Sequence, residues 1–153
     1  MSARDWFESI RLDVLDAKEL ADEIEAEYAR TGPHGQGGGS TGGSSDQMRG
    51  IDRIVDDRLR EKLSRKQERV RHRISAATRV LYGRSGRGGL AKERGTVDAD
   101  ILCHYYLEGY EWTELPKLVD CGNAKRQNSW CRKRAMRALE YVDRVGTRTL
   151  ADS

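Results

Sequence analysis

The sequence predicts an all-α protein with a long N-terminal helical hairpin and a C-terminal helix-turn-helix module of three helices. Apolar residues recur at spacings of three and four over long stretches, which is the period of an amphipathic helix. Proline occurs only 2 times in 153 residues, and runs of β-branched residues are few, which argues against a β-sandwich. Hydrophobic residues make up 37% and charged residues 35% of the chain. Globular domains usually have about 45–50% and about 25%, so we expect small cores.

The first predicted helix covers residues 5–30, which contain no glycine or proline. An apolar stripe at spacings of three and four runs along it. The stripe consists of Trp6, Ile10, Val14, Ala17, Leu20, Ala21, Ile24 and Tyr28. Residues 31–45 follow with 7 glycines and 1 proline, a composition typical of a flexible linker, whether natural or engineered.

The second predicted helix covers residues 46–82 and begins with Asp46 as its N-cap. Its narrow apolar stripe consists of Met48, Ile51, Val55, Leu59, Leu63, Val70, Ile74, Ala77 and Leu81. A long helix with so narrow a stripe needs a packing partner, because isolated helices are marginal in water. We therefore expect residues 1–82 to form a helical hairpin that also mediates homo-oligomerisation, as a coiled coil does.

The charge distribution supports this pairing of two helices. Residues 1–50 hold 5 basic and 10 acidic residues, a net charge of −5, whereas residues 51–94 hold 14 basic and 6 acidic residues, a net charge of +8. Regions of opposite sign indicate either mutual packing or a polyanionic partner for the basic part. The near-neutral sum of +3 conceals this segregation.

Residues 83–95 combine five glycines with four basic residues and predict a mobile hinge. A basic loop that contacts phosphates is the alternative. The spaced glycines do not form a P-loop, because no Gly-Lys-Ser/Thr sequence follows them.

Residues 96–146 predict three helices around an aromatic core, with residues 147–153 as a tail. Six of the ten aromatic residues lie between Tyr105 and Tyr141. The first helix begins at Thr96 and stops at Gly109.

The other two helices of this module are expected over residues 112–119 and 124–145. Pro116 falls in the first turn of the shorter helix if Thr113 caps it, and proline is tolerated there. Gly146 closes the longer helix as a C-terminal glycine.

The last of the three helices has the features of a DNA-recognition helix. Between Lys125 and Arg137 there are six basic residues and no acidic one, while Cys131, Ala135, Ala138, Leu139 and Val142 keep to one apolar stripe. Near the start of such a helix, Arg and Lys can bind guanine and Gln or Asn can bind adenine, whereas later arginines contact phosphates. The expected DNA-binding residues are Lys125, Arg126, Gln127, Asn128, Ser129, Arg132, Lys133, Arg134 and Arg137. A solvated basic face on an ordinary helix is the alternative.

The stretch ILCHYYLEGYEWTELPKLVDC, together with the later RKRAMRAL, resembles region 4 of bacterial sigma factors. The matching residues are Tyr106, Leu107, Gly109, Trp112, Glu114, Leu115 and either Arg134-Ala135-Met136 or Arg137-Ala138-Leu139. The whole layout is similar to that of small phage regulators of the RinA/ArpU type. This resemblance implies a phage or prophage regulator of late genes that binds double-stranded promoter DNA and contacts RNA polymerase.

No catalytic residue, metal site or cofactor is predicted, and the chain is not expected to be an enzyme. Cys103, Cys121 and Cys131 lack the paired spacing of zinc ligands, so core or half-buried thiols are the better interpretation. No window of 18 apolar residues and no apolar leader-like segment occurs, so we expect a cytoplasmic protein without a membrane partner.

Two other functions fit the same features. One is an interaction protein that binds RNA polymerase but not DNA, since region 4 of sigma factors also binds polymerase. The other is a phage small terminase subunit, which also combines a helix-turn-helix with oligomerising helices. The aromatic trio of Tyr105, Tyr106 and Trp112 is expected in the core, with stacking on bases as the alternative.

Overall fold

The computed structural model describes residues 1–31, 43–119 and 128–153, and within these ranges the chain is α-helical without strands. This confirms the all-α class. The elements are α1 (Ala3–Thr31), α2 (Gly43–Tyr82), α3 (Gly89–Arg94), α4 (Thr96–Leu102), a π-helical segment (Cys103–Leu107), α5 (Leu115–Leu118), α6 (Asn128–Val145) and α7 (Thr147–Asp152). No helix in these ranges is long and apolar enough to cross a membrane.

Both long helices form where the apolar period predicted them, within three residues at each end. The predicted linker at residues 31–45 lies mostly outside the described residues. The stripe of α1 buries Ile10 and Val14, but the same helix also buries Phe7, which the predicted stripe omitted. The stripe of α2 buries Val70, Ala77 and Leu81 in its second half, together with Val80, again an omitted residue.

The chain divides into two compact units, and the boundaries differ from the predicted one at residue 82. The first unit contains residues 1–15 and 70–153, and the second contains residues 16–69. The beginning of α1 belongs to the first unit because its side chains pack on the C-terminal helices. The Phe7 ring lies 5.5 Å from the Tyr106 ring. The backbone N–H of Ala3 also donates a hydrogen bond of 2.6 Å to Asp143.

The predicted hinge at residues 83–95 is replaced by a packed segment that contains α3. Leu90 is fully buried. Gly89 has a φ of +65°, and a Cβ there would lie 2.6 Å from the Val80 carbonyl oxygen. The predicted tail is likewise ordered, because residues 147–152 form α7 and bury Leu150. Glycines within residues 83–95 permit close contact between backbone segments. A glycine-rich composition is equally typical of flexible loops, so composition alone did not reveal this role.

Of the three helices around the sequence match, the first agrees with the prediction and the second is shorter than predicted. The first passes from α4 into the π-helical segment and ends before Gly109, which has a φ of +82°. The second is the four-residue α5, and Pro116 lies in its first turn with Glu114 as N-cap. The third is α6, whose predicted first residues, 124–127, lie outside the described residues. Gly146, with a φ of +97°, closes it as predicted.

Candidate nucleic-acid interface

Helix α6 presents an apolar face to the core, and its exposed charged residues up to Arg137 are all basic, with the exposed acids Glu140 and Asp143 following in its second half. Its buried residues are Cys131, Ala135, Ala138, Leu139 and Val142. These are the five residues of the predicted stripe, and α6 packs with them against α3, α4, α5 and α7. Arg132, Lys133 and Arg137 are exposed, as is Ser129 in the first turn. The helix is therefore held by its core contacts while its cations remain accessible to a polyanion.

The structure places five of the nine predicted DNA-binding side chains. Ser129, Arg132, Lys133 and Arg137 share α6 and are exposed. Lys125, Arg126 and Gln127 lie outside the described residues, and Asn128 is the first residue of α6. The fifth placed side chain is that of Arg134, which differs from the others in having a buried partner.

Arg134 forms an ion pair with a carboxylate that the sequence analysis missed. The Asp98 side chain is 1% exposed and receives Nε of Arg134 at 2.6 Å and Nε of Arg94 at 2.9 Å. The Arg134 guanidinium also lies 5.0 Å from the centre of the Trp130 ring. Asp98 thus connects α3, α4 and α6, whereas a phosphate contact by Arg134 stays a prediction. The spacing of Arg94 and Asp98, four residues apart, was the available signal.

The segment before α5 and the first turns of α6 line a depression of about 380 Å³. Its lining residues are Glu111, Trp112, Thr113, Ser129 and Arg132. Leu115 and Val119 at the two ends of α5 are buried, and α5 packs against α6. The depression combines two hydroxyl groups and a guanidinium, which are common donors to phosphate oxygens, with the Glu111 carboxylate, which pairs with Arg11.

Arg11 of α1 binds the segment that precedes the depression. It is 8% exposed and donates hydrogen bonds to the carbonyl oxygens of Tyr105 and Tyr110. It also pairs with Glu111 at 3.0 Å. Because a buried guanidinium needs such partners, these bonds hold the segment between the π-helical segment and α5 against α1.

The three residues of the aromatic trio differ in burial. Tyr106 is 1% exposed. The Tyr105 ring stacks on the Trp112 ring with centroids 3.8 Å apart. The Arg11 guanidinium lies 3.8 Å from the centre of the Tyr105 ring. The core position is therefore confirmed for Tyr106, whereas Tyr105 and Trp112 are half-buried in a stack with Arg11.

The cysteines show no arrangement typical of a metal site in the part of the chain that is described. Among those residues, no group of three His, Cys, Asp or Glu could hold a metal ion. Cys131 is fully buried, Cys103 is half-buried, and Cys121 lies outside the described residues. Burial and then Glu108 raise the pKa of the Cys103 thiol from the ordinary 9.0 to about 11. This thiol is consequently a poor nucleophile near neutral pH.

In the folded protein at pH 8, Cys103 is expected to react about 100-fold more slowly with iodoacetamide than it does in the urea-unfolded chain. The reason is that a pKa raised by about two units lowers the thiolate fraction by that factor. Mass spectrometry of its peptide, between pH 7 and 9, measures the rate. The native rate should rise tenfold per pH unit, whereas a plateau near pH 9 would contradict the raised pKa. Because the folded pKa is raised, the stability that this thiol contributes is complete below pH 9 and is lost toward pH 11.

Comparisons with protein-family models, with curated proteins and with solved structures found no match to this chain. Its function must therefore be inferred from the residues and the geometry described above.

Proposed function

We propose that the protein is a DNA-binding transcription regulator in which α5 and α6 form a helix-turn-helix and α6 is the recognition helix. The observation that carries this proposal is that α6 buries one apolar face, while its exposed charged residues up to Arg137 are all basic. A solvated surface helix usually mixes both charge signs along its length, whereas the exposed acids of α6, Glu140 and Asp143, come only after this run of cations.

The dimensions of α6 suit a DNA groove. Its 18 residues span about 27 Å at ~1.5 Å per residue. The major groove of B-DNA is about 12 Å wide and admits an α-helix. Arg132 and Lys133 lie in the second turn of α6, where side chains can reach base edges, and Arg137 follows one turn later, where phosphates are the expected partners. The Thr113 and Ser129 hydroxyls beside them can donate to the same strand.

The resemblance to region 4 of sigma factors makes the proposal more specific. A phage or prophage regulator of late genes would bind promoter DNA in the host cytoplasm and contact RNA polymerase. The proposed architecture is a helical hairpin of α1 and α2 joined to the helix-turn-helix module. The proposed role is regulatory and not enzymatic.

Replacing Arg132, Lys133 and Arg137 together with alanine should weaken DNA binding by about 30-fold or more, because the two expected base contacts, of Arg132 and Lys133, each contribute about 1–3 kcal/mol. Duplexes selected by the full-length protein from a random pool, and DNA upstream of phage late genes, supply the ligand. Fluorescence anisotropy from about 50 to 200 mM salt measures the affinity, and the salt dependence should become shallower as phosphate contacts are lost.

The matched control replaces Arg71, Arg79 and Lys92, which are exposed basic residues outside α6, with alanine. This control variant also loses three positive charges, and it should retain most of the sequence-specific affinity. An equal loss in both triple variants would overturn the assignment of α6 as the reading helix. Copurification with RNA polymerase without DNA affinity would favour the interaction protein instead, and a ring of eight or more protomers would favour a small terminase subunit.

A further inference from the structure

The two helical stretches of the second compact unit, residues 16–69, have an apolar seam that is only partly covered. We define the seam as Leu20 and Ile24 on α1 with Leu59 and Leu63 on α2; all four are half-buried. Among the described side chains of this unit, only Ala17 is buried, at 8% exposed. The described side chains of this unit therefore form no interior comparable to that of the first unit.

Helices α1 and α2 run antiparallel, because Asp13 pairs with Arg73 while Asp16, later in α1, pairs with a residue that is earlier in α2. Asp16 on α1 pairs with Lys66 on α2, with Oδ2 and Nζ 3.6 Å apart. Helices rise equally per residue, so the positions four and eight residues beyond Asp16 lie level with Lys62 and Arg58, which puts Leu20 and Ile24 within one residue of Leu63 and Leu59 along the helix axis. Two helices that pack only on each other leave both sides of their seam in water. Complete burial of these leucines requires further helices, as in a four-helix bundle.

One side of the seam carries charges of opposite sign on the two helices. Glu19 and Glu23 immediately precede the seam residues of α1, while Arg58 and Lys62 immediately precede those of α2, and all four are exposed. In an antiparallel pair, the residues that precede the seam lie on the same side of it on both helices, because neighbouring positions are about 100° apart on each. This side, which we call the charged flank, therefore has carboxylates along α1 and cations along α2.

We propose that the charged flank binds a second copy of this chain and forms a two-fold symmetric dimer. A two-fold axis through the flank places α1 of one copy over α2 of its partner, so that Glu19 and Glu23 face the partner's cations, and the reverse contact is identical. The four helices then enclose the seam residues of both copies. A surface that is complementary to itself in charge and apolar on one edge selects a second copy over an unrelated partner.

The first test is the mass of the full-length chain in solution without DNA. Light scattering should give twice the chain mass of 17.3 kDa. A mass of 17.3 kDa at the highest soluble concentration would overturn the proposal, and so would a ring of many copies. Because no DNA is present, the outcome is independent of the function of α6.

Charge reversal tests the geometry of the flank. The variant Glu19→Lys/Glu23→Lys has a wholly positive flank, and the variant Arg58→Glu/Lys62→Glu has a wholly negative one. Each alone should be monomeric, because like charges then face each other across the two-fold axis. Mixed in equal amounts they should form a heterodimer. A chain with all four substitutions should recover the homodimer, since acids and bases are exchanged together.

The matched control is Asp22→Lys/Glu68→Lys, which changes the net charge as much as the positive-flank variant does. Asp22 lies two residues from both Leu20 and Ile24. Glu68 lies two residues from both Lys66 and Val70. Both positions are therefore on the outer sides of their helices, and both are exposed. This variant should remain dimeric. Circular dichroism at 222 nm verifies that each variant stays helical. Flank variants that stay helical and dimeric when measured alone would overturn the proposed interface.

Discussion

Replacing Phe7 with alanine is expected to lower the free energy of unfolding of the first compact unit by about 3–5 kcal/mol. The Phe7 side chain is fully buried. Its ring makes an edge contact with Trp6 at 5.0 Å and a tilted contact with Tyr106 at 5.5 Å, so truncation leaves a cavity between α1 and the π-helical segment. A loss of this size is a large part of the total stability of a small domain, which is about 5–15 kcal/mol.

Tryptophan fluorescence during urea unfolding can measure this loss separately from events in the second unit. All 3 tryptophans of the chain, Trp6, Trp112 and Trp130, lie in the first unit. The control is Leu12→Ala on the same helix, because Leu12 is 63% exposed and its truncation should change stability by less than about 0.5 kcal/mol. Equal unfolding midpoints for the two variants would contradict a core role for Phe7.

The apolar period predicted α1 and α2 but did not decide which neighbouring apolar residue is buried. Trp6 and Phe7 are adjacent, and a stripe at spacings of three and four passes through either of them. The packing of α1 on Tyr106 selects Phe7, and that choice depends on residues about 100 positions away in the chain. The same distant contacts move the boundary of the first unit into the middle of both long helices.

The basic face of α6 was predictable because its residues are contiguous in sequence and its apolar positions follow one period. The partner of Arg134 was not predicted. Asp98 lies in the first turn of α4, where an acidic residue ordinarily stays in solvent and interacts with the helix dipole. Asp98 can be buried because Arg94 of α3 and Arg134 of α6 both pair with it. These two helices come together only in the tertiary fold.

Replacing Arg94 and Arg134 together with glutamine is expected to lower the free energy of unfolding by about 3–5 kcal/mol, because a buried charge loses its cations. The Asp98 carboxylate is 1% exposed, so water cannot solvate it in place of the two guanidinium groups. Urea unfolding followed by tryptophan fluorescence measures the effect. The unfolding midpoints should be compared rather than the intensities, because Arg134 lies over the Trp130 ring.

Two further variants separate the loss of the buried pairing from the loss of charge. Lys133→Gln/Arg137→Gln removes two cations from exposed positions of α6 and should change stability by less than about 0.5 kcal/mol. Adding Asp98→Asn to the destabilised double variant should recover part of the lost stability, because a neutral amide costs less to bury than an unpaired carboxylate. If the triple variant were no more stable than the double variant, the guanidinium groups would act through packing rather than through the charge of Asp98.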